Sequence, residues 1–341
     1  MMQRPTPREA IIVNLVAPRQ IELAPMPLVE LEAGDVLCET IVTAISPGTE
    51  LAAYTGAPAL RAGITYPRLL GYCNVARVLA VGDGVRDVRV DDRVLSFMSH
   101  RSHFVMPASS VQVRLPPEVK TEDAACAYLF HLGYNAVLRS DVRAGSRVLV
   151  VGLGALGLTS IAMASLAGAD VVGISDHPVP AGIARGFGAS AVYSRAEFER
   201  MLESPGHELA DVVVATTNAW TDWDIALKAA AQRGTIAVLG FPGRGAEPPQ
   251  LNPLDSRYFY TKQLRIEAVG LSPEKPDDRG FTRYNVKANL AFIVQRIVAG
   301  DLDAAALVSG TYPGAEIERA YQDLLARNSS PITYTLRWSQ D

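Results

Sequence analysis

Residues 147–151, Arg-Val-Leu-Val-Val, form an apolar run of strand type that stops at Gly152-Leu153-Gly154-Ala155-Leu156-Gly157 and resumes from 158 to 167 as an unbroken helix-forming stretch. A G-x-G-x-x-G set alone says little, but between a strand and a helix it has a physical reading. The first glycine permits a tight turn, the second leaves the backbone bare where a pyrophosphate approaches, and the third lets the helix pack on the strand. The free N–H groups of the helix then face the phosphates. A second buried-strand pattern, Val171-Val172-Gly173-Ile174, ends at Ser175-Asp176. That places a carboxylate about 20 residues beyond the glycines, where such folds bind a ribose 2′-hydroxyl. The stretch predicts a dinucleotide site containing Gly152, Gly154, Ala155, Leu156, Gly157, Ser175, Asp176 and His177, as against a ligand-free strand–helix turn.

At 341 residues the chain exceeds one ordinary domain and suits two, each burying its own core. With 48% hydrophobic and 20% charged residues, it has the composition of a soluble globular protein. No apolar run reaches the roughly 20 residues of a membrane helix. The charged start is followed only by a short apolar run at 10–16, interrupted by Asn14, so no leader is expected and a cytoplasmic enzyme is. A net charge of −4 with scattered basic residues gives nucleic acid no footprint. Cys38, Cys73 and Cys126 are odd in number, widely spaced and without C-x-x-C, which predicts buried free thiols, with neither disulfides nor a structural zinc lobe.

Short alternating or apolar runs at 10–16, 35–43, 74–80, 93–97, 104–106 and 111–114, punctuated by Gly and Pro, predict an irregular β-rich domain. From 122 to 139 the pattern is helical. After Gly145 it alternates, with strands at 147–151, 171–174, 191–193, 211–215, 235–239 and 264–269, and helices near 195–202 and 220–231. The fold class is therefore α/β, with a doubly wound parallel sheet of six strands. A Pro-, Asp- and Arg-rich break at 272–284 precedes a helix at 286–299. A last helix at 315–327 and a strand at 333–338, without a local parallel partner, are expected to rejoin the N-terminal part. The expected boundaries are 122–284 for the nucleotide domain, inserted between 1–121 and 285–341. Thr216, Thr217 and Asn218, with Gly240 and Phe241, follow the fourth and fifth strands, where further cofactor contacts belong.

Gly82-Asp83-Gly84-Val85, Asp92-Arg93-Val94, the run from Gly145 to Gly152, Arg233-Gly234-Thr235 and Gly240-Phe241 stand in the order of one family. The chain resembles the medium-chain dehydrogenase/reductase superfamily over nearly its whole length. Ser46-Pro47-Gly48-Thr49-Glu50 makes it most similar to a group that includes the bacteriochlorophyllide dehydrogenases. The resemblance implies a Rossmann domain inserted in a GroES-like catalytic domain. It further implies a homodimer paired through sheet edges such as 264–269, and a small-molecule substrate.

Zinc-dependent members carry a Cys before Gly-Thr and a G-H-E segment; this chain has Ser46-Pro47 and Gly71-Tyr72-Cys73 there, and Tyr128 at the third ligand region. The loop for a structural zinc is missing between Ser99 and Val105. No metal is expected, because a hydroxyl, a phenol and one thiol do not replace thiolate and imidazole ligands. Side chains must then manage the proton during hydride transfer. The candidates are Thr49, Tyr72, Tyr128, His131, His100 and His103, the last two in the segment that borders the family's substrate cleft. His100 and His103 read equally as solvated or packed histidines, His131 equally as a packed core histidine, and Tyr72 and Tyr128 equally as aromatic filling of the emptied site. Glu50 reads as a structural ion-pair residue; Tyr54 and Tyr66 read as cleft or packing residues. Asp176, with no Arg or Lys from 177 to 181, favours NAD(H), while His177 and Arg185 keep NADP(H) open. The implied activity is zinc-independent hydride transfer between a secondary alcohol or ketone and the nicotinamide. Reduction of an activated carbon–carbon double bond, or nucleotide binding without catalysis, are the alternatives.

Overall fold

The structure, a computed structural model, describes residues 7–59, 65–274, 277 and 279–339. Expectations for residues 1–6, and for 275, 276 and 278 within the break at 272–284, lie outside the described residues. The chain forms two compact units: one from the described residues up to Tyr128 together with those from Val286 onward, the other Leu129–Asn285.

In the first unit, β1 (Glu9–Ala17) and β2 (Gln20–Pro27) pair antiparallel across a turn with Arg19 at φ +60°, and β3 (Asp35–Ala44) follows. The sequence reading missed β2, whose Pro25 and Pro27 argue against a strand; it survives because it is an edge, where missing N–H groups cost no ladder bond. Next come α1 (Pro47–Tyr54), β4 (Arg68–Leu69), β5 (Asn74–Val81), β6 (Arg93–Ser96), β7 (His103–Pro107), β8 (Val113–Arg114) and α2 (Thr121–Ala125). The helix expected over 122–139 is broken at Cys126, after which α3 (Ala127–Arg139) begins.

The second unit holds β9 (Arg147–Val151), α4 (Ala155–Leu166), β10 (Asp170–Ile174), α5 (Pro178–Gly186), β11 (Ala191–Tyr193), α6 (Arg195–Leu202), β12 (Ala210–Ala215), α7 (Trp220–Ala229), β13 (Ala230–Val238) and β14 (Arg265–Ala268). The six strands are all parallel, in the order β11-β10-β9-β12-β13-β14, the doubly wound sheet expected. Order reverses between β9 and β12, and the crevice at that switch point is where such sheets take a nucleotide. Leu149, Val151, Val213, Ile225 and Ile236 form its core. Helix α5 was not foreseen, since Pro178 and Pro180 read as a loop; a proline in the first turn is compatible with a helix start because its missing N–H has no intrahelical partner there.

The chain then returns to the first unit as α8 (Val286–Val298), β15 (Val308–Pro313), α9 (Ile317–Ala326) and β16 (Thr333–Arg337). Strand β16 pairs antiparallel with β3 and parallel with β15, so the expectation that it lacks a local parallel partner is corrected. The unforeseen β15 contains Gly310 and ends at Pro313, which hide its strand character. Together these strands complete a seven-stranded sheet with β3, β5, β6, β7 and β8.

Gly133 of α3 lies against the α4 backbone, and a Cβ there would stand 2.5 Å from the Thr159 carbonyl carbon. Gly133→Ala is expected to destabilise the second unit by about 1–3 kcal/mol through overpacking. Urea unfolding measures it, and an unchanged midpoint would show that the two helices separate at no cost.

Candidate active site

At the end of β9 the backbone of Gly152 takes φ +91°, and a Cβ there would sit 2.2 Å from Thr217 Cγ2. A Cβ on Gly157 would lie 1.9 Å from the Gly152 carbonyl oxygen, so only glycine lets α4 start this close to β9. Gly154 differs. It is the extended N-cap of α4, no side chain caps that helix, and nothing lies within 4 Å of where its Cβ would be. The bare backbone and uncapped amides at Gly154, Ala155, Leu156 and Gly157 suit an anionic phosphate. Thr216 Oγ1 bonds the carbonyls of Val151 (2.9 Å) and Gly152 (2.8 Å). A Cβ on Gly240 would lie 2.5 Å from the Thr216 carbonyl carbon, and Asn218 Oδ1 accepts from the Phe241 N–H at 3.1 Å. The structure thus brings the glycine turn, Thr216, Thr217, Asn218, Gly240 and Phe241 to the C-terminal ends of β9, β12 and β13. These residues fit the pyrophosphate and nicotinamide side of a dinucleotide.

Asp176 follows β10, with Ser175 Oγ accepting from the His177 N–H at 3.2 Å beside it. The cation that meets this carboxylate comes from beyond both 177–181 and Arg185. Arg195, the first residue of α6, donates its backbone N–H to Asp176 Oδ1 at 2.9 Å and pairs its Nη1 with Oδ2. The cause is the parallel pairing of β10 with β11, which sets Ile174 beside Tyr193 and so aligns the two loops beyond them. The Arg195 backbone N–H, followed by its side chain, holds the Asp176 carboxyl below its ordinary range. Arg195 is itself gripped by Asp222 in the first turn of α7, Nε to Oδ1 at 2.7 Å and Nη2 to Oδ2 at 2.9 Å. Neither Arg195 nor Asp222 was foreseen; the one available signal was an acidic residue at a buried helical position.

In the first unit, Glu50 is buried near the start of α1 and accepts from the Ser46 N–H at 2.6 Å, Tyr321 Oη at 2.6 Å and His100 Nε2 at 2.8 Å. His100 Nδ1 meets Thr43 Oγ1 at 2.7 Å, and Trp338 Nε1 donates to that same oxygen at 3.2 Å. A proton on Nε2 lets Thr43 donate to Nδ1, which satisfies the whole chain of groups. Gly71, at φ +87°, lies where a Cβ would come within 2.6 Å of the imidazole. Of the readings open for His100, the packed one is observed and not a place at the rim of a cleft: it is 0% exposed with both nitrogens engaged.

Tyr72 donates to Ser46 Oγ at 2.5 Å and also bonds Thr49, while burial raises its phenol pKa. Tyr128 stands edge-on to Tyr72 (5.3 Å between ring centres) and to Phe97 (4.9 Å). Burial, then Glu50, pushes the Cys73 thiol well above its usual range. Among the described residues no group of three or more His, Cys, Asp or Glu is arranged to hold a metal ion. A hydroxyl and a phenol bonded to one another beside a buried thiol do not fit a tetrahedral zinc. His103, half-buried on β7, lies 3.9 Å from Glu39, and burial lowers its pKa despite that carboxylate. His131 of α3 is buried, its pKa lowered to about 4 by desolvation, with Asn135 Nδ2 3.5 Å from its Nε2. Tyr54 bonds Glu318 and Tyr66 bonds the Ala53 carbonyl, so both hydroxyls have protein partners.

Residues 155–278 match the family model described as zinc-binding dehydrogenase. The sorbitol dehydrogenase of Bacillus subtilis is 22% identical over 271 residues, covering 67% of this chain and 74% of that protein. The crystal structure of 2R,3R-butanediol dehydrogenase from Bacillus subtilis superposes with a TM-score of 0.79 at 18% identity, covering 96% of this chain and 99% of that one. A structure described as a short chain alcohol dehydrogenase from Escherichia coli, complexed with cofactor NADH, gives 0.79 at 17% identity, covering 97% and 100%. The fold is that of the two-domain alcohol dehydrogenases. In sequence, the likeness to the zinc-binding dehydrogenases is carried by residues 155–278.

Two outcomes follow from these geometries. His131 is held uncharged when folded and takes a proton below 6.5 when unfolded, so its contribution to stability is complete above pH 6.5 and is lost as pH falls toward 4. At about 1.4 kcal/mol per unit the loss is at most about 3 kcal/mol. Urea unfolding at a series of pH values should show this slope in the parent and a shallower one in His131→Gln. Glu50→Gln turns an acceptor of three donors into a group whose NH2 faces some of them, and should cost about 3–5 kcal/mol in the same assay.

Proposed function

We propose that the protein is a nicotinamide-dependent oxidoreductase that moves a hydride between a secondary alcohol or ketone carbon of a small molecule and the cofactor, without zinc. The observation that carries this reading is the empty space beside Gly154 at the uncapped start of α4, flanked by residues that tolerate only glycine at 152 and 157. Gly152, Gly154, Ala155, Leu156 and Gly157 would hold the pyrophosphate. Thr216, Thr217, Asn218, Gly240 and Phe241 would flank the nicotinamide, and Ser175, Asp176 and His177 the adenosine ribose. A bound nicotinamide supplies the hydride donor or acceptor.

The chain's own contribution is orientation and the proton. A phenol whose pKa is raised keeps its proton on Oη at neutral pH, so Tyr72, by turning its O–H from Ser46 Oγ, can donate to an oxygen on which negative charge develops, with the Ser46 and Thr49 hydroxyls then donating to Oη. Tyr128 orients Tyr72 by edge-on packing. His100, locked on Glu50 and Thr43, has a structural role in this scheme, as does His131. The lowered pKa of His103, beside Glu39, supports leaving it out of proton transfer. NAD(H) is the preferred cofactor on the strength of Asp176. The edge position of β14 supports pairing into a homodimer, and the three buried free thiols support a reducing, cytoplasmic setting.

A Cβ at 154 meets no protein atom within 4 Å, so Gly154→Val should fold and lose dinucleotide binding at least tenfold by calorimetry; undiminished binding in the folded variant would sink the assignment. Tyr72→Phe should lower kcat for ketone reduction about 100-fold while leaving cofactor affinity unchanged. Paired ketone and enone substrates with product analysis test the chemistry, and a product saturated at carbon–carbon would replace the carbonyl reading. Elemental analysis should find no stoichiometric zinc; one zinc per chain, with turnover lost to chelator and restored by metal, would overturn the metal-free scheme.

A further inference from the structure

We propose that cofactor choice in this protein is set by an Asp222–Arg195–Asp176 clamp, in which the buried Asp222 acts at a distance as a positioning residue. This rests on the dinucleotide reading above and adds to it residues that the glycine motif does not indicate. Asp222 is almost fully buried, its side chain 3% exposed, and it takes the Nε and Nη2 edge of Arg195 in a two-bond fork. Such a fork fixes the plane of the guanidinium as well as its position. The remaining Nη1 and the Arg195 backbone N–H each bind one oxygen of Asp176. Asp176 is therefore held by two bonds from a residue that is itself held by two more, although its own side chain is 46% exposed.

Two properties of the cofactor subsite follow. The Asp176 carboxylate cannot swing away to admit a 2′-phosphate without breaking its bonds to Arg195. Nor is Arg195 available to receive that phosphate, because Asp222 occupies the edge that would make a bidentate contact. The two carboxylates and one guanidinium also sum to one net negative charge beside the ribose position. That charge opposes a 2′-phosphate and leaves the unpaired lone pairs of Asp176 for ribose hydroxyls. An Arg beside the acidic residue would ordinarily be read as a phosphate receptor; here its second acidic partner reverses that reading.

The test titrates the full chain with NADH and NADPH by fluorescence, in the parent and in Asp222→Asn, with circular dichroism to verify the fold. The parent should bind NADH at least tenfold tighter than NADPH. Asp222→Asn cancels the net charge and frees one edge of Arg195, so the ratio should move at least tenfold toward NADPH. A folded Asp222→Asn with an unchanged ratio, or with both affinities reduced equally, overturns the clamp. Should that variant fail to fold, Arg195→Lys keeps the cation but cannot fork two carboxylates, and its ratio must also shift toward NADPH for the clamp to stand. A parent that prefers NADPH refutes the clamp alone. A parent that binds neither dinucleotide refutes the proposed function with it.

Discussion

The carboxylate of Glu50 is the interaction on which the first unit depends. A buried charge costs several kcal/mol unless it is fully hydrogen-bonded, and here each of its donors comes from a different part of the chain. Ser46 N–H precedes α1, His100 comes from the turn before β7, and Tyr321 lies on α9, 271 residues away. The same network reaches Trp338 through Thr43. The unit is made of two segments separated by the whole nucleotide unit, so hydrophobic packing of Tyr54, Ile317 and Tyr321 needs a directional element to fix register. The Glu50 network supplies it, and the close approach of His100 to Gly71 follows from it.

The nucleotide unit solves its problem differently. Its six strands are local in sequence and joined to one another by crossovers, and the sheet is buried by apolar residues on both faces. Polar interactions gather at the strand ends, where Thr216 and Asn218 bond neighbouring backbone and leave Gly154 uncovered. The core is apolar and periodic, while the site is polar and made at loop ends.

That division explains what was legible in the sequence. The glycine turn, the six parallel strands and the residues after β12 and β13 could be read because each is a local pattern with a physical meaning. Helix α5 and strands β2 and β15 were missed because proline and glycine there are tolerated by position, at a first turn or an edge, and position is a tertiary fact. The Arg195 partner of Asp176 was invisible for a related reason. Nineteen residues separate them, and only the pairing of β10 with β11 shows that their loops are neighbours. His100 was legible as a chemically capable side chain, but its burial against Gly71 and Glu50 depends on three segments at once.

On the metal-free reading proposed above, Tyr72 with its partners Ser46 and Thr49 bears on the direction in which the reaction runs best. Zinc acidifies an alcohol, which helps its oxidation, whereas a protonated phenol stabilises a developing alkoxide by donating to it. Burial raises the Tyr72 pKa, so the phenolate needed to draw a proton from an alcohol is disfavoured. His131, held neutral by burial, adds no compensating acid of ordinary strength near pH 7. On the proposed reading, the protein groups therefore favour carbonyl reduction over alcohol oxidation. The burial that raises the Tyr72 phenol, with Tyr128 edge-on to it, is the physical source of that bias.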